Sequence, residues 1–377
     1  PYSKMQNGTF SVPYDSQRDV YMAMIDDLDA AMETLYTFAS AGDGILMRDF
    51  DISSFKGDSR LWVSFANTLK LRMAIRMSGV EPEARRIAEE AVRDMATYGL
   101  IDANAENLSF SSDSRQNPFY TQATSTSWQD LRSNASIVMY MNAYEDPRRA
   151  SYFSKSGYDG IYVGVRAGIQ NVTPTDYATY SYPLFAEKDP VPVMYASESW
   201  FLRAEGALLG WTMGDTAENL YNTGVKTSLE LWGNGSSYET YIASETAPAL
   251  SYADPRNKHN VSDFGTAVSV KWADDGNELE RIITQKWIAN HMIGHEAWAD
   301  VRRTGYPRLL QVVNNLSDFI FSLIRAIGLI LLGFGILQIG LALKSHDASQ
   351  RANGILTVAG GIVITFTKEI LTLITGG

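Results

Sequence analysis

Ala196 to Trp211 reads ASESWFLRAEGALLGW, and the fold class turns on this stretch. Phe201, Leu202, Glu205 and Leu208 fall near one side of a helix running from Tyr195 to Leu209, and Gly210 suits its stop. Ala204, Gly206 and Ala207 add little bulk, so a second helix can approach closely. That partner follows at once. Asp215 and Glu218 have capping-box spacing, and Leu220, Tyr221, Val225, Leu229 and Trp232 recur at helical intervals. Two helices joined by so short a turn form an antiparallel pair.

The same design stands upstream. A helix from about Asp58 to Ser78 carries Trp62, Phe65, Ala66, Leu69 and Met73 on one face, with Gly79 at its stop. Pro82 opens the next, with Ala84, Ile87, Ala88, Ala91, Val92 and Met95 on one side and Gly99 at its end. Asp15 or Ser16 caps an earlier helix, whose apolar positions are Met24, Leu28, Ala31, Leu35 and Phe38. A third helical zone, Asn277 to Arg303, carries Ile282, Ile283, Trp287, Trp298 and Val301 and breaks near Gly294. Such pairs resemble tetratricopeptide units, without a strict repeat period. The fold class is therefore mainly α: tetratricopeptide-like helical pairs bearing a loop-rich insertion.

That insertion is the texture of residues 104–130 and 150–193, rich in Ser, Thr, Asn, Gly, Pro and Tyr. Long irregular segments of this kind are commonly functional loops. Ile161 to Val165 alternates like a short strand. Sugars offer apolar C–H faces and rings of hydroxyls, so their sites need aromatic planes beside amide, carboxylate or guanidinium groups. Tyr158, Tyr162, Arg166, Asn171, Tyr177 and Tyr180 supply those types in one region and form the predicted ligand-binding set. For any one of them, ordinary packing under a long loop competes with that role. Trp62, Trp200, Trp287 and Trp298 sit on helical stripes and are predicted to be core.

Composition narrows the function classes. The chain has 377 residues, 45% hydrophobic, with 32 Lys+Arg against 43 Asp+Glu and a net charge of −11. A pI near 4.9 argues against a nucleic-acid surface. Zero Cys excludes disulfides, thiolate metal sites and a Cys nucleophile, and four His leave little for a histidine metal centre. Catalytic signals are thin and no cofactor motif is found. His291 and His295 lie four apart but lack the glutamate that zinc proteases place between them. Glu296 and Asp300 are predicted to pair with Arg302 or Arg303 rather than to act as a catalytic dyad. The turn Asp274-Asp275-Gly276-Asn277 has no terminal Glu in calcium-loop register.

The last sixty residues differ from the rest. Phe319 to Leu343 reads FIFSLIRAIGLILLGFGILQIGLAL, and at 1.5 Å per residue it can cross a hydrocarbon layer. A polar hinge, Lys344 to Arg351, leads to a second apolar run, Gly354 to Thr375. The pattern predicts a hairpin of two membrane helices brought together at Gly333, Gly335, Gly360 and Gly361. From Asp318 onward four cations face three carboxylates, against 28 and 40 before it. Two domains are predicted, 1–317 and 318–377.

Four blocks point to a family. They are Trp62 to Arg76 (WVSFANTLKLRMAIR), Asp146 to Phe153 (DPRRASYF), Ala196 to Trp211, and Ile282 to Pro307 (IITQKWIANHMIGHEAWADVRRTGYP). In this order they resemble the SusD/RagB family of surface nutrient-binding lipoproteins. The resemblance implies non-enzymatic binding of an oligosaccharide or peptide at the bacterial cell surface. It also implies a SusC-type TonB-dependent outer-membrane transporter as partner, and a structural role for the last block, its arginines tying helices together.

Departures from the family are expected too. The chain opens at Pro1 with neither signal segment nor lipidated Cys, and a family portion of the N-terminus is expected to be absent. The apolar hairpin stands where a family C-terminal segment is expected and resembles small two-helix membrane proteins of conjugative elements. Such helices favour the inner membrane, whereas outer-membrane spans are typically barrels. Two reading frames joined near Val313–Phe319 would explain the conflict, and one long genomic read through that point tests it. Two rival functions remain: a membrane-anchored scaffold for protein partners, and a glycosidase with facing carboxylates.

Overall fold

Asp58 starts the second long helix by accepting from the backbone N–H groups of Arg60 (2.8 Å) and Leu61 (3.4 Å), as an N-cap should. Ser16 does the same for the first, accepting from Asp19 N. This computed structural model describes residues 2, 11–112, 116–125, 131–169, 173–310, 313–345 and 348–367. Its longer helices are α1 (Gln17–Ala41), α2 (Ser59–Met77), α3 (Ala84–Arg93), α4 (Ala135–Ala143), α5 (Ala196–Leu208), α6 (Ala217–Leu231), α7 (Glu278–Ala289), α8 (Gly294–Thr304), α9 (Val313–Ser345) and α10 (Ala348–Thr365). Two short strands, β1 (Leu108–Phe110) and β2 (Val191–Met194), pair antiparallel with Leu108 opposite Met194.

The helical pairs are present as predicted. α2 packs on α1 and α3, α5 on α6, and α7 on both α5 and α6. Ala84, Ile87, Ala88, Ala91 and Val92 are buried along α3, and Leu220, Tyr221, Val225 and Leu229 along α6. Gly224 admits the Phe201 ring, since a Cβ there would lie 3.0 Å from it. Beneath the strands, Phe55, Ile101, Leu108, Met194 and Ala196 form a cluster flanked by Leu61, Trp62 and Phe65.

Several expectations need correcting. On α1 the buried stripe is Ile25, Met32 and Ala39, with Leu28 and Leu35 beside it, while Met24 and Phe38 are exposed. Apolar residues flank that stripe one position away, so two faces fit the same period. Thr216, not Asp215, is the N-cap of α6, accepting from Asn219 N at 3.2 Å. Ile161–Val165 is no strand, although Val165 forms a single bridge with Asn134.

Trp298 is 61% exposed rather than core. The reason lies in what α8 buries, namely the carboxylates of Glu296 and Asp300. Four cations and four carboxylates meet there. Arg72 holds Glu198 through two bonds (2.7 and 2.8 Å) and reaches Glu296 at 3.3 Å, which Arg76 also pairs. Lys286 binds Asp300 at 2.9 Å, and Arg303 binds both Asp300 (2.9 Å) and Glu205. Bidentate forks of this kind fix geometry as well as energy. The network joins α2, α5, α7 and α8, so a polar core dictates which faces turn inward.

Burial would raise the Glu296 and Asp300 carboxyls, but the neighbouring cations outweigh it and hold both below the usual range. Arg303 pairs with Asp300 as predicted, whereas Glu296 turns to α2. A second buried knot joins Arg148 to Asp146 (2.6 Å), Ser228 Oγ (2.8 Å) and Gln285 Oε1 (3.0 Å).

Contacts divide the chain into two bodies, Pro1–Arg166 with Asn171–Leu310, and Ala167–Gln170 with Gln311–Gly377. In the second, α9 and α10 form an antiparallel hairpin. A Cβ on Gly328 would meet the Thr365 backbone N at 2.6 Å, one on Gly335 that of Val358 at 2.7 Å, and one on Gly361 that of Leu332 at 2.7 Å. Gly354 sits against Ile339 likewise. Of the predicted contact glycines, Gly335 and Gly361 serve, while Gly333 and Gly360 face open space. The close approach follows a seven-residue interval on each helix. Leu323–Lys344 is long and apolar enough to cross a membrane, with mean hydropathy 2.3; Ala352–Thr365 is apolar but shorter.

Candidate ligand-binding site

Three of the predicted tyrosines come together. Tyr180 stands edge-on to Tyr158 (centroids 5.5 Å apart) and to Tyr177 (4.8 Å), and Arg256 lies 5.3 Å over the Tyr177 ring. The Tyr180 hydroxyl donates to Asp254, whose carboxylate also takes the backbone N–H groups of Arg256 (3.1 Å), Lys258 (3.1 Å) and His259 (3.0 Å). Burial would raise the Asp254 carboxyl, yet these donors hold it low. Tyr177 and Tyr180 are buried, and Tyr158 is half-buried. Tyr162 stands apart, half-buried under Arg149 at 5.2 Å. Arg166 is half-buried within electrostatic reach of Tyr252. Asn171 lies outside the described residues.

An opening of ≈ 290 Å³ lies elsewhere in the first body, walled by Phe119, Phe185, Tyr195, Trp232 and His291, with Asn117 and Asp189 among its polar groups. Its walls are held from behind. Phe119 and Phe185 stack at 5.5 Å and 23°. Asn117 fixes the Phe119 backbone by accepting from Phe119 N (2.8 Å) and Tyr120 N (3.3 Å), and donates to Asp189 O (2.8 Å). Trp232 meets the buried Tyr152 edge-on at 4.7 Å, and His291 stacks on Tyr152 at 4.0 Å and 7°. Paired rings of this kind contribute roughly 0.5–1.5 kcal/mol each beyond their burial. Met292, at φ +73, carries the wall through the break between α7 and α8.

The helix breaks between His291 and His295, so the two imidazoles do not share one helical face. Burial drives the His291 pKa down to about 3, so the ring is neutral and acts as an aromatic plate. The His295 side chain is 69% exposed and lies 3.3 Å from Glu296. Among the described residues no group of three or more His, Asp or Glu side chains could hold a metal ion. Phe119, Phe185 and Tyr195 had no periodicity to mark them, because a three-residue helical turn, a loop and a helix cap supply them separately.

The family described as "Susd and RagB outer membrane lipoprotein" matches residues 1–326. A solved chitin-binding SusD homolog from Flavobacterium johnsoniae is 39% identical, with TM-score 0.76, over 82% of this chain and 65% of its own. A SusD-like protein from Bacteroides thetaiotaomicron is 41% identical, with TM-score 0.74 and the same two coverages. For a SusD homolog from Bacteroides uniformis the values are 40%, 0.77, 84% and 67%. The chain therefore spans about 65% of the length of the first two. No curated protein matches it. Sequence family and fold agree: the chain belongs to the SusD-like family of outer-membrane lipoproteins.

Proposed function

We propose that the chain captures a glycan at the bacterial cell surface without catalysis and passes it to a SusC-type TonB-dependent transporter. The observation that carries this is the ring-walled opening around Trp232, held rigid by Asn117 and the Tyr152 stack. Aromatic planes receive the C–H faces of a sugar, and preorganised walls lower the entropic cost of binding. The chitin-binding neighbour supports the ligand class. Glu296 and Asp300 are each locked between cations, which suits a binding role rather than glycoside hydrolysis.

This opening, more than the tyrosine set, is proposed as the main seat, because Tyr177 and Tyr180 are buried in the Asp254 knot. Tyr158, Tyr162, Arg166 and Asn171 are kept as a proposed secondary contact set, distinct from the walls of this opening. Titration calorimetry with a panel of neutral oligosaccharides tests the reading. Trp232→Ala should weaken the best binder about tenfold, or about 1.4 kcal/mol, with no reducing ends released. An unchanged affinity, or steady turnover, would remove this proposal. Co-purification of a TonB-dependent partner from native membranes tests delivery.

The α9–α10 hairpin is proposed to lie in a membrane. Gly328, Gly335, Gly354 and Gly361 face inward while Leu329, Ile330, Phe334, Ile336 and Leu337 are exposed, the reverse of a water-facing surface. Alkaline carbonate should leave the chain in the membrane pellet, and release into the supernatant would count against insertion. Recovery with inner rather than outer membranes would favour the anchored-scaffold reading.

A further inference from the structure

A second opening, of ≈ 550 Å³, shares no lining residue with the first. Trp272 stands in its wall, half-buried, with its indole N–H donating to Asp274 Oδ1 at 3.1 Å and its ring leaning on Tyr221 at 5.4 Å. The segment bearing it is tied down by Arg281, itself 1% exposed, which donates to Ser269 O (3.0 Å) and Ala273 O (3.1 Å). Three ion pairs contribute side chains to the same wall: Lys271–Glu245 (2.5 Å), Arg281–Asp275 (3.0 Å) and Arg308–Glu280 (3.2 Å). Lys271 and Arg308 face Glu245, Asp275 and Glu280 in the lining, and Asp274 holds the indole, so carboxylates outnumber cations and the opening disfavours an anion.

Each pair leaves donors or acceptors uncommitted. A carboxylate has about four lone-pair sites and an ammonium three protons, so one ion-pair bond does not exhaust either. Vicinal hydroxyls both donate and accept, and charge-assisted bonds to such ends are short and strong. An anionic sugar would meet Glu245 and Asp275 and would have to displace one of them.

We propose that this opening is a second saccharide site, taking a neutral oligosaccharide whose C–H face lies on Trp272 and whose hydroxyls bond Lys271, Glu245 and Arg308. The inference rests on the glycan-binding reading above. Two seats on one chain would hold a polymer at two points and slow its escape.

The full chain, labelled with 5-fluorotryptophan in a zwitterionic detergent without sugar headgroups, supports a direct test by fluorine NMR. It has eight tryptophans. Trp272→Phe and Trp232→Phe assign two of the resonances. The panel's best neutral binder, as a tetrasaccharide, should shift both resonances in proportion to its concentration, while tetragalacturonate leaves that of Trp272 in place. A shift at Trp232 alone overturns the second site and leaves the main reading standing. If no resonance moves with any neutral tetrasaccharide, the glycan reading itself falls. A Trp272 shift with tetragalacturonate but not with the neutral probe overturns the neutral class.

Discussion

Replacing Glu198 with Gln is expected to lower the unfolding free energy by about 3–5 kcal/mol, the usual result of stranding one partner of a buried pair. Glu198 is fully buried and takes both arms of Arg72, which is 5% exposed. Gln keeps the shape but leaves the guanidinium facing Glu296 alone, with the charge balance of the network broken. Urea denaturation followed by circular dichroism reads the change as a lower midpoint at constant slope. Removing both charges, Arg72→Met with Glu198→Met, should recover much of the loss, since a well-packed apolar pair often replaces a buried ion pair without penalty. A single-variant cost below about 1 kcal/mol would show that water reaches the network.

Acid is expected to destabilise the fold in two steps, the first set by His291. Its folded pKa is about 3 against an ordinary value of 6.5, so between those limits the unfolded chain binds a proton that the folded chain refuses. Stability is therefore fully present above about pH 6.5 and falls with pH, by up to about 1.4 kcal/mol per pH unit. His291→Phe keeps the stack on Tyr152 and removes the titration. Its stability should stay flat between pH 6.5 and 5, while the parent loses on the order of 1–2 kcal/mol there. The second step belongs to Glu296 and Asp300, whose folded pKa values are depressed. Their contribution is present above the ordinary carboxylate range and is lost as pH falls through the lower folded values. Parallel pH profiles for parent and variant would contradict the burial of His291.

The helices were legible because each signal is local: a cap at Ser16 or Asp58, an apolar period, a glycine at the stop. The faces were less so. Trp298 was placed in the core by an apolar period, but α8 buries its carboxylates, a preference that only Arg72, Arg76 and Lys286 on other helices can create. The hairpin glycines were readable as a class, while the register selecting Gly328 and Gly354 over Gly333 and Gly360 depends on where two helices meet. Tyrosine content marked the loop that packs around Asp254; the opening around Trp232 is assembled from segments more than a hundred positions apart and left no pattern to read.

The eight-charge network has a consequence for how the chain is made. Arg76 and its acidic partner lie 220 positions apart, and Arg72 shares that partner. A nascent chain emerging from the ribosome thus exposes α2 long before α8 is synthesised to neutralise it. Glu198 matches Arg72 earlier, but until residue 296 appears, folding α2 into the interior would leave Arg76 without its carboxylate, so the early helices should stay loosely associated and open to chaperones. Premature stops ahead of that point should yield products that proteases clear, whatever the quality of the helices already formed.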